Sequence, residues 1–251
     1  MKPEYEVVEY DIGKGDYRNV SNYDKKRYVG AANDYKKRVT GNAYRRLIGP
    51  LEGKKILDVG CGTGRGVADF VDTAQMTIGV DASYDMLLAA AQKVEGRPNV
   101  ALVASYAQSL PFPASCFDVV TSLNFLHLFS LPTQSEMIAE MKRVAKPGGM
   151  IVLEFDNAIH GLGLGLFKRW TGREHGSLPS EIRQVIGSDC KVTAIYGAVF
   201  PVIWRLFHRW PSTFLPIEEL AYRAPINWMA HRIFFQLLKP QTVPNNQAAR
   251  T

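Results

Sequence analysis

Residues 54–66 read KKILDVGCGTGRG. The run KKILDVG has the make-up of a short buried strand, and RGVADFVDTA, which follows, has that of a helix. Between them lie Gly60, Gly62 and Gly64. Glycine lets a backbone turn tightly and lets another group approach it closely. A glycine-rich strand-to-helix junction therefore predicts an α/β unit whose first turn is built for contact rather than for packing.

The stretches on either side extend that reading. MTIGVDAS predicts a second strand, YDMLLAAAQKV a helix with Met86, Leu87, Ala90 and Ala91 on one side, and NVALVASY a third strand. FDVVTSLN predicts a fourth strand, TQSEMIAEMKRVA a helix stopped by KPGG, and MIVLEF a fifth strand. Further on, SLPSEIRQVIG reads as a helix, KVTAIYGAVF as a strand and IFFQLLKP as a last strand. Strands alternating with helices at this spacing mean parallel strands joined by crossover helices, so the expected class is a doubly wound α/β sheet. Upstream, NDYKKRVTGNAYRRLIG places Tyr35, Val39, Ala43 and Leu47 at helical spacing.

Composition narrows the rest. The chain has 251 residues, 46% hydrophobic and 22% charged, which suits one large globular domain or one with an insertion. Its first twenty residues are polar and charged, which predicts neither a secretory signal nor a first membrane span, and no apolar run reaches spanning length. Cys61, Cys116 and Cys190 are odd in number and unrelated in spacing, a pattern that fits a reducing cytoplasm and no metal site. The net charge of +6 is mild. No basic run interleaves with aromatics, which argues against nucleic acid as a partner.

In open α/β sheets ligands bind at the carboxyl ends of the strands, and a helix N-terminus there offers N–H groups and a positive dipole. Asp81 closes the second strand about 20 residues beyond the glycines, the position from which an acid accepts hydrogen bonds from ribose hydroxyls. A nucleotide-type ligand follows. The glycines at 60, 62 and 64 give G-x-G-x-G, and Arg65 stands where the dinucleotide pattern G-x-G-x-x-G has its third glycine.

The stretch Leu57–Gly64, with Asp58 two residues before the first glycine, resembles motif I of the class I S-adenosylmethionine (SAM)-dependent methyltransferases. LPFPASCFDVVTSLNFLHLF and MKRVAKPGGMIVLEF are similar to later segments of that family. Together they cover roughly residues 50–155, most closely in the manner of the ubiquinone- and menaquinone-biosynthesis and "type 11" methyltransferases. The resemblance implies a Rossmann-like, mostly parallel seven-stranded sheet with an antiparallel last strand and a helical cap. It implies SAM as cofactor, S-adenosylhomocysteine as product, and methyl transfer by in-line displacement. It implies Asp58 near the methionyl ammonium, Gly60, Cys61, Gly62 and Gly64 around the methionyl part, and Asp81 with Ala82 at the ribose. Met86, Tyr106 and Ala107 are expected around adenine, and Asn124 at the methionyl end. Tyr106 stands where the family often carries an aspartate for the adenine amino group.

In-line transfer depends mostly on holding acceptor and methyl together, and a base is needed only when the acceptor must lose a proton early. Candidates near the acceptor are His127, after the fourth strand, and Tyr23, Tyr28 and Tyr35, in an N-terminal segment that in the family closes over the cofactor. The expected organisation is a helical segment over 1–50, a SAM-binding domain over 51–240 with an aromatic-rich insertion at about 200–230, and a tail over 241–251. The insertion carries Trp204, Phe207, Trp210, Phe214 and Trp228 among arginines and histidines. It suits an apolar or lipid-like acceptor, a peripheral membrane contact, or plain packing on the sheet. The glycine-rich HGLGLGLFKRW reads as a loop. A cytoplasmic location, with peripheral membrane contact as a variant, is expected, and oligomeric state is open. Two alternatives compete: an NAD(P)-dependent oxidoreductase, and a catalytically silent SAM-binding partner protein. Transfer of another group from the sulfonium, such as aminopropyl, also stays open.

Overall fold

The computed structural model describes residues 31–160, 176–200 and 229–241. In chain order the elements are α1 (Ala31–Ile48), β1 (Lys55–Val59), α2 (Arg65–Phe70), β2 (Met76–Asp81), α3 (Tyr84–Lys93), β3 (Val100–Ala104) and β4 (Phe117–Ser122). A 3₁₀ turn (Leu126–Leu128) leads into α4 (Leu131–Val144) and β5 (Ala145–Asp156). Then come α5 (Pro179–Ile186), β6 (Lys191–Ala198) and β7 (Arg232–Leu238).

These strands form one seven-stranded sheet in the order β3-β2-β1-β4-β5-β7-β6. β1 pairs in parallel with β2 and β4, β2 with β3, and β4 with β5. β7 runs antiparallel to both β5 and β6. The expected class and the antiparallel last strand are both present. Strand order reverses between β1 and β4, which opens a crevice at their carboxyl ends.

Period-two alternation sorts the strand residues onto two faces. Leu57, Val59, Val120, Ile151, Leu153, Phe155, Phe235 and Leu237 join one core with Met137, Ile138 and Met141 of α4 and Ile182 of α5. Ile56, Val119, Val152 and Phe234 join another with Tyr35, Val39, Ala43, Tyr44 and Leu47 of α1. The helical spacing read in the N-terminal sequence thus marks the buried face of α1. Full burial of each large apolar side chain is worth roughly 1.5–3 kcal/mol, enough to hold this helix on the sheet.

One boundary differs from the sequence reading. KPGG does end α4, but those residues also lie inside β5. The pairing of β4 with β5 jumps from Phe117↔Ala145 to Val119↔Met150, and Gly148 has φ 74°. The extra residues form a bulge, which a glycine in the left-handed region accommodates. The insertion over 201–228, the stretch 161–175, the tyrosines Tyr23 and Tyr28, and the tail from 242 lie outside the described residues. Among the described residues no helix is long and apolar enough to cross a membrane.

Candidate functional site

On the face of the sheet that carries α1, the strands change character at one end. Ile56 gives way to Asp58, Val119 to Thr121, and Val152 to Glu154 and Asp156. On the antiparallel β7, Phe234 gives way to Arg232. The register sets Asp58 beside Thr121 and Asp156 beside Arg232. A cavity of about 340 Å³ lies over these polar ends. Its walls are the glycine turn (Asp58, Gly60, Cys61, Gly62, Thr63), Leu123 and Asn124 after β4, and Glu154, Val199, His231 and Arg232. Arg65, Gly66 and Asp69 of α2, with Lys36, Lys37, Thr40, Gly41, Tyr44 and Arg45 of α1, complete it.

The glycine turn is pinned from several sides. The N–H groups of Gly60 and Cys61 donate to the carbonyl of Val80, and Lys93 Nζ donates to the carbonyl of Thr63 at 2.7 Å. All three motif glycines have positive φ. Two of them also meet close neighbours: a Cβ on Gly60 would lie 2.2 Å from the Phe125 ring, and one on Gly64 2.6 Å from Cβ of Ala90. At Gly62 a Cβ would meet nothing within 4 Å, and this glycine opens onto the cavity. The helix after the turn is only six residues long, and no side chain caps it.

Asp58 is 3% exposed. Thr121 Oγ1 donates to its Oδ1 at 2.9 Å, and the missing side chain of Gly66 leaves room for Oδ2, which would lie 2.5 Å from a Cβ there. Burial pushes its pKa up to about 7; the Thr121 hydrogen bond opposes this, and the charges of Asp81 and Asp69 add to it. A buried acid held at such a value favours a cationic partner. Asp81 stands at the end of β2 with both carboxylate oxygens oriented: Gly62 N–H donates to Oδ2 at 2.8 Å and Ser83 N–H to Oδ1 at 2.9 Å. Burial raises its pKa, and these N–H groups offset part of the rise. Burial also pushes the Cys61 thiol well up, so it is a packing group and not a nucleophile.

The predicted residues fall into two groups. Asp58, Gly60, Cys61, Gly62 and Asn124 line the cavity. Asp81, Ala82, Met86, Tyr106 and Ala107 lie at and beyond the carboxyl ends of β2 and β3, off that lining, and the Gly62–Asp81 hydrogen bond joins the groups. Met86 and Ala107 are buried, whereas Tyr106 is 42% exposed. Gly64 serves the contact of α2 with α3. His127 does not line the cavity; its Nδ1 is 4.0 Å from Asp156 Oδ1.

Several cavity residues were not anticipated. Glu154 is 1% exposed; its Oε1 accepts from Arg232 Nη1 at 3.1 Å and its Oε2 from the N–H of Asn124 at 2.9 Å. Burial raises its pKa against the pull of Arg232. Asn124 takes φ 54° to make that contact, a conformation asparagine tolerates better than most residues. Arg232 Nη1 also lies 2.6 Å from Asp156 Oδ1. Burial alone would raise the Asp156 carboxyl, but Arg232, His127, His231 and His160 outweigh it and hold it below its ordinary value. On the opposite wall the Tyr44 hydroxyl donates to Asp69, tying α1 to α2. An acid amid the apolar MIVLEF was the available sequence signal for Glu154. Arg232 and His231 had none, because nothing local marks the start of β7 as a site. Among the described residues no group of histidines, cysteines and acids is arranged to hold a metal.

Comparison with known proteins fits this arrangement. Residues 56–149 match the family described as Methyltransferase domain. Over 134 residues the chain is 37% identical to a demethylmenaquinone methyltransferase of Bacillus licheniformis, covering 52% of this chain and 56% of that protein. The chain spans about half the length of the curated relatives it matches. A SAM-dependent methyltransferase of Mesorhizobium loti is similar in fold, with TM-score 0.59 and 17% identity over 79% of this chain and 96% of that one. So is the [4+2]-cyclase SpnF, with TM-score 0.59 and 22% identity over 82% and 81%. The last two matches establish the fold alone, and the cyclase illustrates that this fold does not dictate a reaction. The matched segment holds the glycine turn, Asp58, Asp81 and the P-G-G turn, and over residues 56–149 the chain is similar to the family described as Methyltransferase domain.

Proposed function

We propose that this protein transfers the methyl group of SAM to a small, apolar or lipid-like acceptor. The observation that carries the reading is Asp58: a buried, Thr121-bonded carboxyl facing a cavity beside the glycine turn. Such a group suits the ammonium of a methionyl moiety, and Arg65 and Lys36 on the same walls suit its carboxylate. Asp81 then receives the ribose hydroxyls on the lone pairs its two N–H donors leave available, with Ala82 beside it. Met86, Tyr106 and Ala107 flank adenine, and Asn124 the methionyl end. SAM supplies an activated methyl group on a positive sulfur. The chain's own residues orient it and keep water away from a transition state that disperses charge.

The acceptor approaches from the β5–β7 side, below α1. The relatives are named for demethylmenaquinone, and we take its reduced form, a lipid-like naphthoquinol, as the first acceptor to test. The division into a covering segment (1–50), a SAM-binding domain (51–240) with the 200–230 insertion, and a tail (241–251) belongs to the same proposal. So does a cytoplasmic protein whose insertion rests against anionic membrane. In that case vesicle binding falls as salt rises. The NAD(P) alternative is disfavoured by Arg65 in the spacing and by the family of residues 56–149.

Calorimetry with SAM and with NADH on the purified protein tests the cofactor. Binding of SAM and not of NADH is expected, and Asp81→Ala weakens SAM binding by about 1–3 kcal/mol. Mass spectrometry of demethylmenaquinol incubated with isotopically labelled SAM tests the acceptor. NADH binding overturns the proposal; SAM binding without labelled product overturns the acceptor and leaves the cofactor.

A further inference from the structure

We infer that His231 is the general base of the acceptor site, taking the proton of an acidic hydroxyl on the acceptor as the methyl group is transferred. The inference rests on the methyl-transfer reading above and adds a residue and a chemical class of acceptor to it. Of the three histidines gathered here, His231 lines the cavity, whereas His127 and His160 do not. Its backbone is held on both sides: its N–H donates to the carbonyl of Val199 at 2.8 Å, and its carbonyl accepts from Asn157 N–H at 2.9 Å. Its ring meets His160 edge to face, with centroids 4.7 Å apart. That places an imidazole at the cavity wall with little freedom to leave it.

The surrounding charge suits a proton on that ring. Asp156 of β5 interacts electrostatically with Arg232, His127, His231 and His160, and Arg232 Nη1 lies 2.6 Å from Asp156 Oδ1 and 3.1 Å from Glu154 Oε1. Asp156 thus stands where its charge stabilises the positive charge an imidazole gains on taking a proton. The other acids of the cavity have different partners: Asp58 is bonded to Thr121, and Asp69 to Tyr44. Glu154 already accepts from Arg232 and Asn124.

The step balances as follows. The O–H bond of the acceptor breaks and its proton goes to an imidazole nitrogen of His231. An electron pair of the oxygen, or of a ring carbon conjugated with it, forms the bond to the methyl carbon. The carbon–sulfur bond breaks and its electron pair stays on sulfur, which becomes a neutral thioether. In the ring-carbon case that carbon then gives up its hydrogen as the proton that restores the hydroxyl. His231 passes its proton to water when product leaves.

Two readouts test this on the full chain. With S-adenosylhomocysteine present, 4-nitro-1-naphthol is titrated by absorbance, which separates its hydroxyl from its oxyanion form. The wild type is expected to hold it as the oxyanion at lower pH than free solution does, and His231→Gln to abolish that shift. With demethylmenaquinol, His231→Gln and His231→Asn are expected to lower kcat about 10²-fold or more and to remove the acidic limb of its pH profile. SAM affinity is expected to stay at the wild-type value. No oxyanion shift in the wild type, or an unchanged shift and kcat profile in both variants, overturns the assignment. So does loss of the acidic limb in His127→Gln instead. Failure to bind SAM at all would overturn the functional reading and with it the assignment, whereas SAM binding without an oxyanion shift overturns the assignment alone.

Discussion

The two edges of the sheet treat acids in opposite ways. At the amino edge, Asp118 accepts from Lys55 N–H at 2.9 Å and from Lys146 Nζ at 2.7 Å. The slight burial there is outweighed by the lysine, and its pKa lies below the ordinary range. Glu140 of α4 is held low by Arg143 and also accepts Leu110 N–H at 2.9 Å. At the carboxyl edge, Asp58, Asp81 and Glu154 are pushed up by burial, while Asp156, paired with Arg232, is held low. Acids at the amino edge stabilise the fold as it stands. Asp58, Asp81 and Glu154 are kept desolvated at some expense to it, which is the arrangement expected where a charged ligand completes the site.

The sharpest way to break this contrast is Asp58→Asn. Removing the charge from a buried pair between protein and ligand is expected to weaken SAM binding by about 2–5 kcal/mol. The same substitution should raise the melting temperature of the ligand-free protein at pH 8, where the wild type must bury a carboxylate. Calorimetry and thermal melts on one preparation decide both. Lower stability at pH 8 in the variant would place Asp58 with the acids of the amino edge.

Gly64→Val probes the packing beneath the turn. A branched side chain at φ 75°, starting 2.6 Å from Ala90, should destabilise the protein by about 1–3 kcal/mol, read as a lower denaturant midpoint. The same change at Gly96, also at positive φ but with open space around it, should show only the backbone part.

The pH dependence follows from signs. Asp58 has a folded pKa of about 7, above its unfolded value, so its contribution to stability is complete below the unfolded pKa and is lost as pH rises through 7. SAM affinity runs the other way. Between pH 5 and 7 the carboxyl must lose its proton to meet an ammonium, and affinity should fall as pH drops, by up to about tenfold per unit. Asp58→Asn should flatten that slope. Asp118 and Glu140 have folded pKa values below their unfolded ones. Their contribution is present above the unfolded pKa and lost as pH falls through the folded one.

The smallest effect is expected from Glu140→Ala. The Glu140–Arg143 pair is partly exposed, so its loss should lower stability by about 1 kcal/mol or less and leave SAM affinity untouched. A change in affinity would mean that the two edges communicate through α4.

Much of this was legible in the sequence. Strand–helix alternation announced the doubly wound sheet, and the turn from Asp58 to Gly64 announced the crevice, because these signals are local: a period, a run of small residues, an acid at a fixed distance. The face of α1 that packs on the sheet was legible in Tyr35, Val39, Ala43 and Leu47 for the same reason. The far wall of the cavity, built by β5 and β7, was not. His127 looked well placed on the strength of its position after β4, yet it stands behind Asp156. Glu154, His231 and Arg232 meet only because β7 inserts antiparallel between β5 and β6, setting Arg232 opposite Asp156 some 76 positions away in the chain. Sequence by itself determined the class of fold and the half of the site read from one strand–turn–helix unit. Tertiary structure decided which carboxyls are desolvated, which histidine reaches the cavity and where the arginine's charge is spent, since burial and charge pairing depend on strand order, and no local pattern encodes that.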